Sequence, residues 1–239
     1  MSTTNEAVPM ESAGFVSDLA GLPTFLMDPE GAAKRVHSKW FWIVPLLVCS
    51  AIGVGVGLYM MPLALHVAEV APLPDGVTEA QRAQGVAVTA IVMKVVTYGG
   101  PILSGVIWAI IAGIMMVMTT VTGVKARFLE LFNLVAGCWL IQTLAAVAIA
   151  VILHFKGDVS TQAEMKPAMG LDIFLPEGTN KYLVAAGGSF SVFSIWWVVM
   201  MALILSAAFR VSKGKAFAIV LPLWVIGLLF SMIGAVFTK

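Results

Sequence analysis

The sequence predicts an all-α polytopic membrane protein, a bundle of five transmembrane helices preceded by a short N-terminal interfacial helix. Five apolar stretches, at about 40–65, 95–124, 131–153, 190–209 and 216–238, contain no Asp, Glu, Lys or Arg. Each reaches the roughly 20 residues a helix needs to cross about 30 Å of hydrocarbon. One charge at a helix centre would cost about 2.5–3.5 kcal/mol on insertion. Composition agrees: 60% of residues are hydrophobic and 11% charged, with mean hydropathy +0.97, whereas soluble domains carry about 25% charged residues.

Two regions follow. Residues 1–24 read as a polar, disordered tail, and 25–239 as one five-span membrane domain. No basic n-region precedes a short apolar core, so the first span is expected to direct insertion itself. Asp28 is a good N-cap and Pro29 suits the first helical position. Ala33, Val36 and Trp40 then recur at helical spacing beside Lys34, Arg35 and Lys39. This reads as an interfacial helix or, since Gly31 weakens it, as a basic flank only. Trp40, Phe41 and Trp42 mark the edge of the first span as an aromatic belt would. Pro101 suits the first turn of the inserted part of the second span, and Pro222 predicts a kink in the fifth. Residues 66–94 and 154–189 read as the longer connections. The second is broken repeatedly by Pro167, Gly170, Pro176, Gly178, Gly187 and Gly188, with Tyr182–Ala186 lying flat or starting the fourth helix early.

Charge near the span ends sets orientation. Lys34, Arg35 and Lys39, then Lys125 and Arg127, then Arg210, Lys213 and Lys215 cluster on one side. On the other, acids dilute the bases. The N-terminus is expected in the cytoplasm and the C-terminus outside.

Lipid gives helices no hydrophobic drive to associate, so small residues at i, i+4 mark close-packing faces. Gly53 and Gly57, Gly105, Ala109 and Gly113, and Gly227, Ser231 and Ala235 form such faces, serving packing within the chain or contact with another copy. The spans' polar groups are mild. Ser104, Asn133, Gln142, Ser194 and Ser206 are either satisfied structurally or line a weakly polar path. Asn133 and Gln142 fall on different faces of one helix. Pumps want Asp, Glu or His within spans, and His37, His66 and His154 sit near span ends without the i, i+4 spacing of a metal pair. Cys49 and Cys138 read as buried thiols. Gly187-Gly188-Ser189 offers a serine but no span supplies a base for it. No enzyme, metal site, cofactor or nucleic-acid partner is expected.

Three stretches resemble the Yip-domain family of five-pass proteins, named for interaction with Ypt/Rab GTPases. They are Phe25-Leu-Met-Asp-Pro29 leading to Trp40-Phe-Trp-Ile-Val-Pro45, then Gly-Val-Lys125-Ala-Arg127-Phe-Leu-Glu-Leu-Phe132, and Phe193-Ser-Ile-Trp196 continuing to Ser212-Lys-Gly-Lys215-Ala216 and Trp224. The resemblance covers about 25–238 and implies five spans with a cytoplasmic N-terminus. It implies a non-enzymatic scaffold, organiser or trafficking-type interaction protein. The partners would be the lipid bilayer, other membrane proteins or a second copy. The short tail departs from the eukaryotic members and is similar to prokaryotic ones, so a small GTPase partner is not expected and a bacterial inner membrane is. A small-solute permease or channel, using the polar residues above, is the alternative.

Overall fold

A computed structural model describes residues 14–70, 78–161, 164–176 and 178–235. In order these form α1 (Phe15–Gly21), α2 (Thr24–Met27), α3 (Pro29–Val36), α4 (Ile43–Val70), α5 (Glu79–Val121) and α6 (Phe128–Lys156). A 3₁₀ turn (Leu171–Phe174), α7 (Lys181–Ser189), α8 (Val192–Phe209) and α9 (Lys213–Gly234) follow. No strand occurs among the described residues. Helices α4, α5, α6, α8 and α9 are long and apolar enough to cross a membrane, so the five-span fold stands.

Local chemistry fixes the starts. The Asp28 carboxylate accepts from the Gly31 N–H at 3.0 Å, with Pro29 first in α3. Ser191 Oγ accepts from the Ser194 N–H at the start of α8, and Ser212 Oγ from the Lys215 N–H at the start of α9. These are N-caps that satisfy otherwise orphaned donors.

Helix ends differ from span ends. The connection expected over 66–94 is largely helical, because α4 continues to Val70 and α5 begins at Glu79. Thr78 and Gln81 form a capping box there, and Ala80, Gln81, Arg82, Ala83 and Gln84 are good helix formers. At 1.5 Å per residue α5 is about 65 Å long, twice the hydrocarbon thickness. Pro101 accordingly lies inside α5 rather than at its start. The helix α9 likewise runs through Pro222. Residues 181–189 form a helix of their own, α7, separated from α8 by Phe190 and Ser191. Of the tail expected to be disordered, Phe15–Gly21 is helical. Residues 1–13 lie outside the described residues.

The core is centred on α6 and α8. Their spans are 44% and 39% buried, against 17% for α4 and 22% for α5 and α9. The helix α6 packs on α4, α5 and α8, while α8 packs on α9. Trp108 of α5, Leu134 and Ile141 of α6, Met201 and Leu205 of α8 and Ile219 of α9 are wholly buried. Against this core lie α2 and α3, both touching α6 and α8.

Candidate functional site: the basic end of the bundle

The segment read as an interfacial helix is docked onto protein. Phe25 of α2 is fully buried, stacks on Phe41 at 5.0 Å between ring centroids, and lies over Gly137 of α6. A Cβ at Gly137 would come within 2.3 Å of the Phe25 ring, so only glycine permits this approach. Trp196 Nε1 of α8 donates to the Leu26 carbonyl at 2.8 Å. Farther along α8, the Ala208 carbonyl lies 3.2 Å from His37 Nε2. Twelve residues separate Trp196 from Ala208, so the segment follows α8 for about 18 Å.

Asn133 of α6 is the polar anchor. Its Nδ2 donates to the carbonyls of Val36, at 3.0 Å, and Ser38, while its Oδ1 accepts the Trp42 N–H at 3.1 Å. One fully buried amide thus satisfies three backbone groups in the link between α3 and α4. An Arg35–Asp18 ion pair of 2.8 Å ties α1 to α3.

Beside this segment, the end of α5, the start of α6 and the end of α8 enclose an open hollow of about 800 Å³. Lys125, Arg127, Glu130 and Arg210 give it charge, His37 adds a polar ring, and Val124, Ala126, Ala208 and Phe209 give it apolar walls. Glu130 accepts the Arg127 N–H at 2.8 Å, faces His37 Nδ1 at 3.0 Å and lies 3.9 Å from Arg127 Nε. Its charge is therefore committed. Arg210 is the only non-glycine residue with positive φ, 52°, among those described.

The predicted site residues are distributed over the bundle. Gly57 meets Thr97 of α5 so closely that a Cβ would lie 2.6 Å from its hydroxyl. Gly53, Gly105, Gly113 and Gly227 have nothing within 4 Å of a Cβ position among the described residues. Ala109 is half-buried and Ala235 buried, and Ser231 donates to the Ala185 carbonyl of α7 at 3.2 Å. Of the polar set, Asn133 serves the docked segment. Ser194 pairs with Ser191, Ser206 donates to the Val211 carbonyl, and Gln142 lies half-buried on α6. Ser104 lines a separate cavity of about 160 Å³ between α4 and α5, with Cys49, Ser50, Gly53, Thr97 and Gly100. In that cavity's wall the Ser50 and Thr97 hydroxyls are buried without partners among the described residues, and Pro101 deprives the Thr97 carbonyl of its helical donor.

Of the residues carrying the resemblance, Pro29 opens α3 and Trp196 holds Leu26. Phe193 packs beside Trp196. Trp224 contacts Phe190 edge-on and donates to the Ser189 carbonyl at 3.3 Å. Lys215 belongs to the capped first turn of α9, and Trp40 is 59% exposed, near Lys39. Gly137 is the participant that sequence reasoning missed; Phe25 and Arg210 were read only as parts of a family stretch and of a basic flank, without their contacts. The one glycine of the third span was the available signal for Gly137.

These features define a helical integral membrane protein with a folded cap on its basic end. A family model described as Yip1 domain matches residues 24–234, from the first residue of α2 to the last of α9. The chain belongs to the Yip1-domain family, and the docked segment is part of that domain. No curated protein and no solved structure matches the chain.

Proposed function

We propose that the protein is a non-enzymatic membrane scaffold, a trafficking-type interaction protein whose working surface is the basic end of the bundle. The observation that carries this reading is the fixed cap. Buried groups of α6 and α8 are committed to holding α1–α3 in one place, which presents a defined surface instead of a mobile tail. The count of bases near span ends supports a cytoplasmic position for this end, hence N-terminus inside and C-terminus outside. On this reading the membrane is a bacterial inner membrane. The partners are other membrane proteins or a second copy, and the open faces at Gly105, Gly113 and Gly227 leave room for helix contacts beyond the chain. No small GTPase belongs to this reading.

Affinity capture after crosslinking in native membranes tests it. The expected result is a reproducible partner or a self-crosslinked product, weakened when Asn133→Leu loosens the cap. Absence of any reproducible product would overturn the reading. A permease reading draws on one observation, the cavity holding the unpartnered Ser50 and Thr97 hydroxyls, and labelling at Cys49 tests that.

A further inference from the structure

We infer that the hollow at the basic end is a binding site for the phosphate-bearing headgroup of an anionic lipid. The inference rests on the reading of this end as the working surface and names what that surface takes.

Charge is the first argument. Three permanent cations, Lys125, Arg127 and Arg210, line the hollow with one carboxylate. Glu130 is already engaged by the Arg127 N–H, the His37 ring and, more distantly, the Arg127 guanidinium. Lys125 and Arg210 have no ion-pair or hydrogen-bond partner among the described residues. The hollow therefore keeps an uncompensated positive charge of about two, suited to charge-assisted bonds with phosphate oxygens. The peptide N–H groups of Lys125 and Ala126 also have no partner among the described residues, and successive free N–H groups of a turn add to an anion cradle.

Arg210 supplies the second argument. It follows α8 in the left-handed conformation, a position where glycine is usual and an L side chain is strained. The turn is locked by the Val211 N–H bonding to the Ser206 carbonyl and by Ser206 Oγ donating back to the Val211 carbonyl. The turn therefore places Arg210 at a fixed point on the rim of the basic hollow, where its guanidinium can reach an anion seated there.

The apolar walls distinguish a lipid from a soluble anion. Phe209 and Val124 line the hollow. Just outside it, Val117, Val121 and Phe128 are exposed, at 62%, 78% and 42%, on helices long and apolar enough to span the bilayer. A headgroup seated among Lys125, Arg127 and Arg210 thus has an apolar track for its acyl chains. Inorganic phosphate would use the cations and leave that track empty.

The test uses purified full-length protein in detergent micelles, titrated with phosphatidylglycerol or phosphatidylcholine and read by native mass spectrometry. Each basic residue near a lipid surface contributes about fivefold in affinity, so K125Q with R210Q should weaken phosphatidylglycerol binding about 25-fold. K213Q with K215Q, at the same end but outside the hollow, should change it less than twofold. R210G relieves the backbone strain, so it should hold or raise Tm while weakening binding about fivefold. That separates loss of the site from loss of the fold. Millimolar inorganic phosphate should not displace the lipid. Equal binding of the two lipids, equal weakening by the two double variants, or displacement by inorganic phosphate would each overturn the inference. Partner capture is measured separately, so a failed titration with capture intact removes the headgroup site and leaves the scaffold reading standing.

Discussion

Replacing Asn133 by leucine should release the N-terminal cap. The two side chains branch alike and leucine is the larger, so the change leaves no cavity and its main loss is of hydrogen bonds. It strands the Trp42 N–H and the Val36 and Ser38 carbonyls, all held by Asn133. A buried group deprived of its partner costs about 1–3 kcal/mol, so three together cost at least about 3 kcal/mol. The penalty is bounded, because undocking lets the three groups bond to water. It therefore appears as detachment of α1–α3 rather than unfolding of the spans. At about 1.4 kcal/mol per tenfold, the detached population rises by roughly 100-fold. Trypsin reads this directly, since Lys34, Arg35 and Lys39 lie in and just after α3 and cleavage follows the open population when reclosing is fast. In lipid nanodiscs the initial cleavage rate should rise by about that factor. A rate within twofold of the parent's, with Tm unchanged, would refute the account of Asn133 as the anchor.

The contact between Phe25 and Gly137 predicts that Gly137→Ala destabilises by about 1–3 kcal/mol, as overpacking does. Phe25→Ala should remove most of that penalty, so additive Tm losses in the double variant would contradict the contact. If the cavity between α4 and α5 is water-filled, Cys49 in a Cys138→Ser background should react with a small aqueous thiol reagent in intact membranes. Silence at Cys49 would remove the permease reading. Glu164 accepts the Ser160 and Thr161 N–H groups and lies 3.4 Å from Lys156. These bonds lower its pKa from an ordinary 4.5 to about 2. Because the folded value lies below the unfolded one, the stabilisation is complete above about pH 4.5 and is lost as pH falls toward 2. Carbon-detected NMR should place the Glu164 midpoint well below 4; a midpoint near 4.5 would show that the loop bonds do not form.

The spans were legible because hydropathy measures what lipid demands, and a charge-free run of 20 residues has few other uses. The helix ends were not, because backbone bonding and capping set them. Glu79–Lys94 is too polar to count as a span, yet Thr78 and Gln81 start a helix there. Asn133 was legible as a satisfied polar residue but not as an anchor, since its partners at Val36, Ser38 and Trp42 lie more than 90 positions away in the chain. The five polar residues grouped as a path show the same limit. Their spacing fixes a face on each helix but says nothing of how helices are rotated against one another. Asn133 turned inward to the cap, while Ser104 faced a different helix pair. Of the hollow, sequence gave its cations and their common side. It gave neither the engagement of Glu130 nor the left-handed turn at Arg210.

The cap also explains why burial is so uneven among the spans. Lipid rewards helix association through close packing and polar bonds only, so a short segment such as α2–α3 gains little by lying against apolar helices. It needs fasteners with specific partners. The fold supplies these from the two helices it buries most: Asn133 and Gly137 from α6, and Trp196 and Ala208 from α8. Elements that must hold a cap cannot also face lipid on all sides, so α4, α5 and α9 are left outermost around them. Their small-residue faces at Gly105, Gly113 and Gly227 then remain uncovered by the described residues. On this argument the inner pair, α6 and α8, maintains the basic surface, while the outer helices meet the bilayer and whatever else it contains. Substitutions such as Gly113→Leu should therefore leave the trypsin resistance of the cap unchanged, whereas Trp196→Phe, which removes the bond to Leu26 and part of the ring's packing, should reduce it several-fold. The opposite pattern would mean that the cap is held by the bundle as a whole and not by its two central helices.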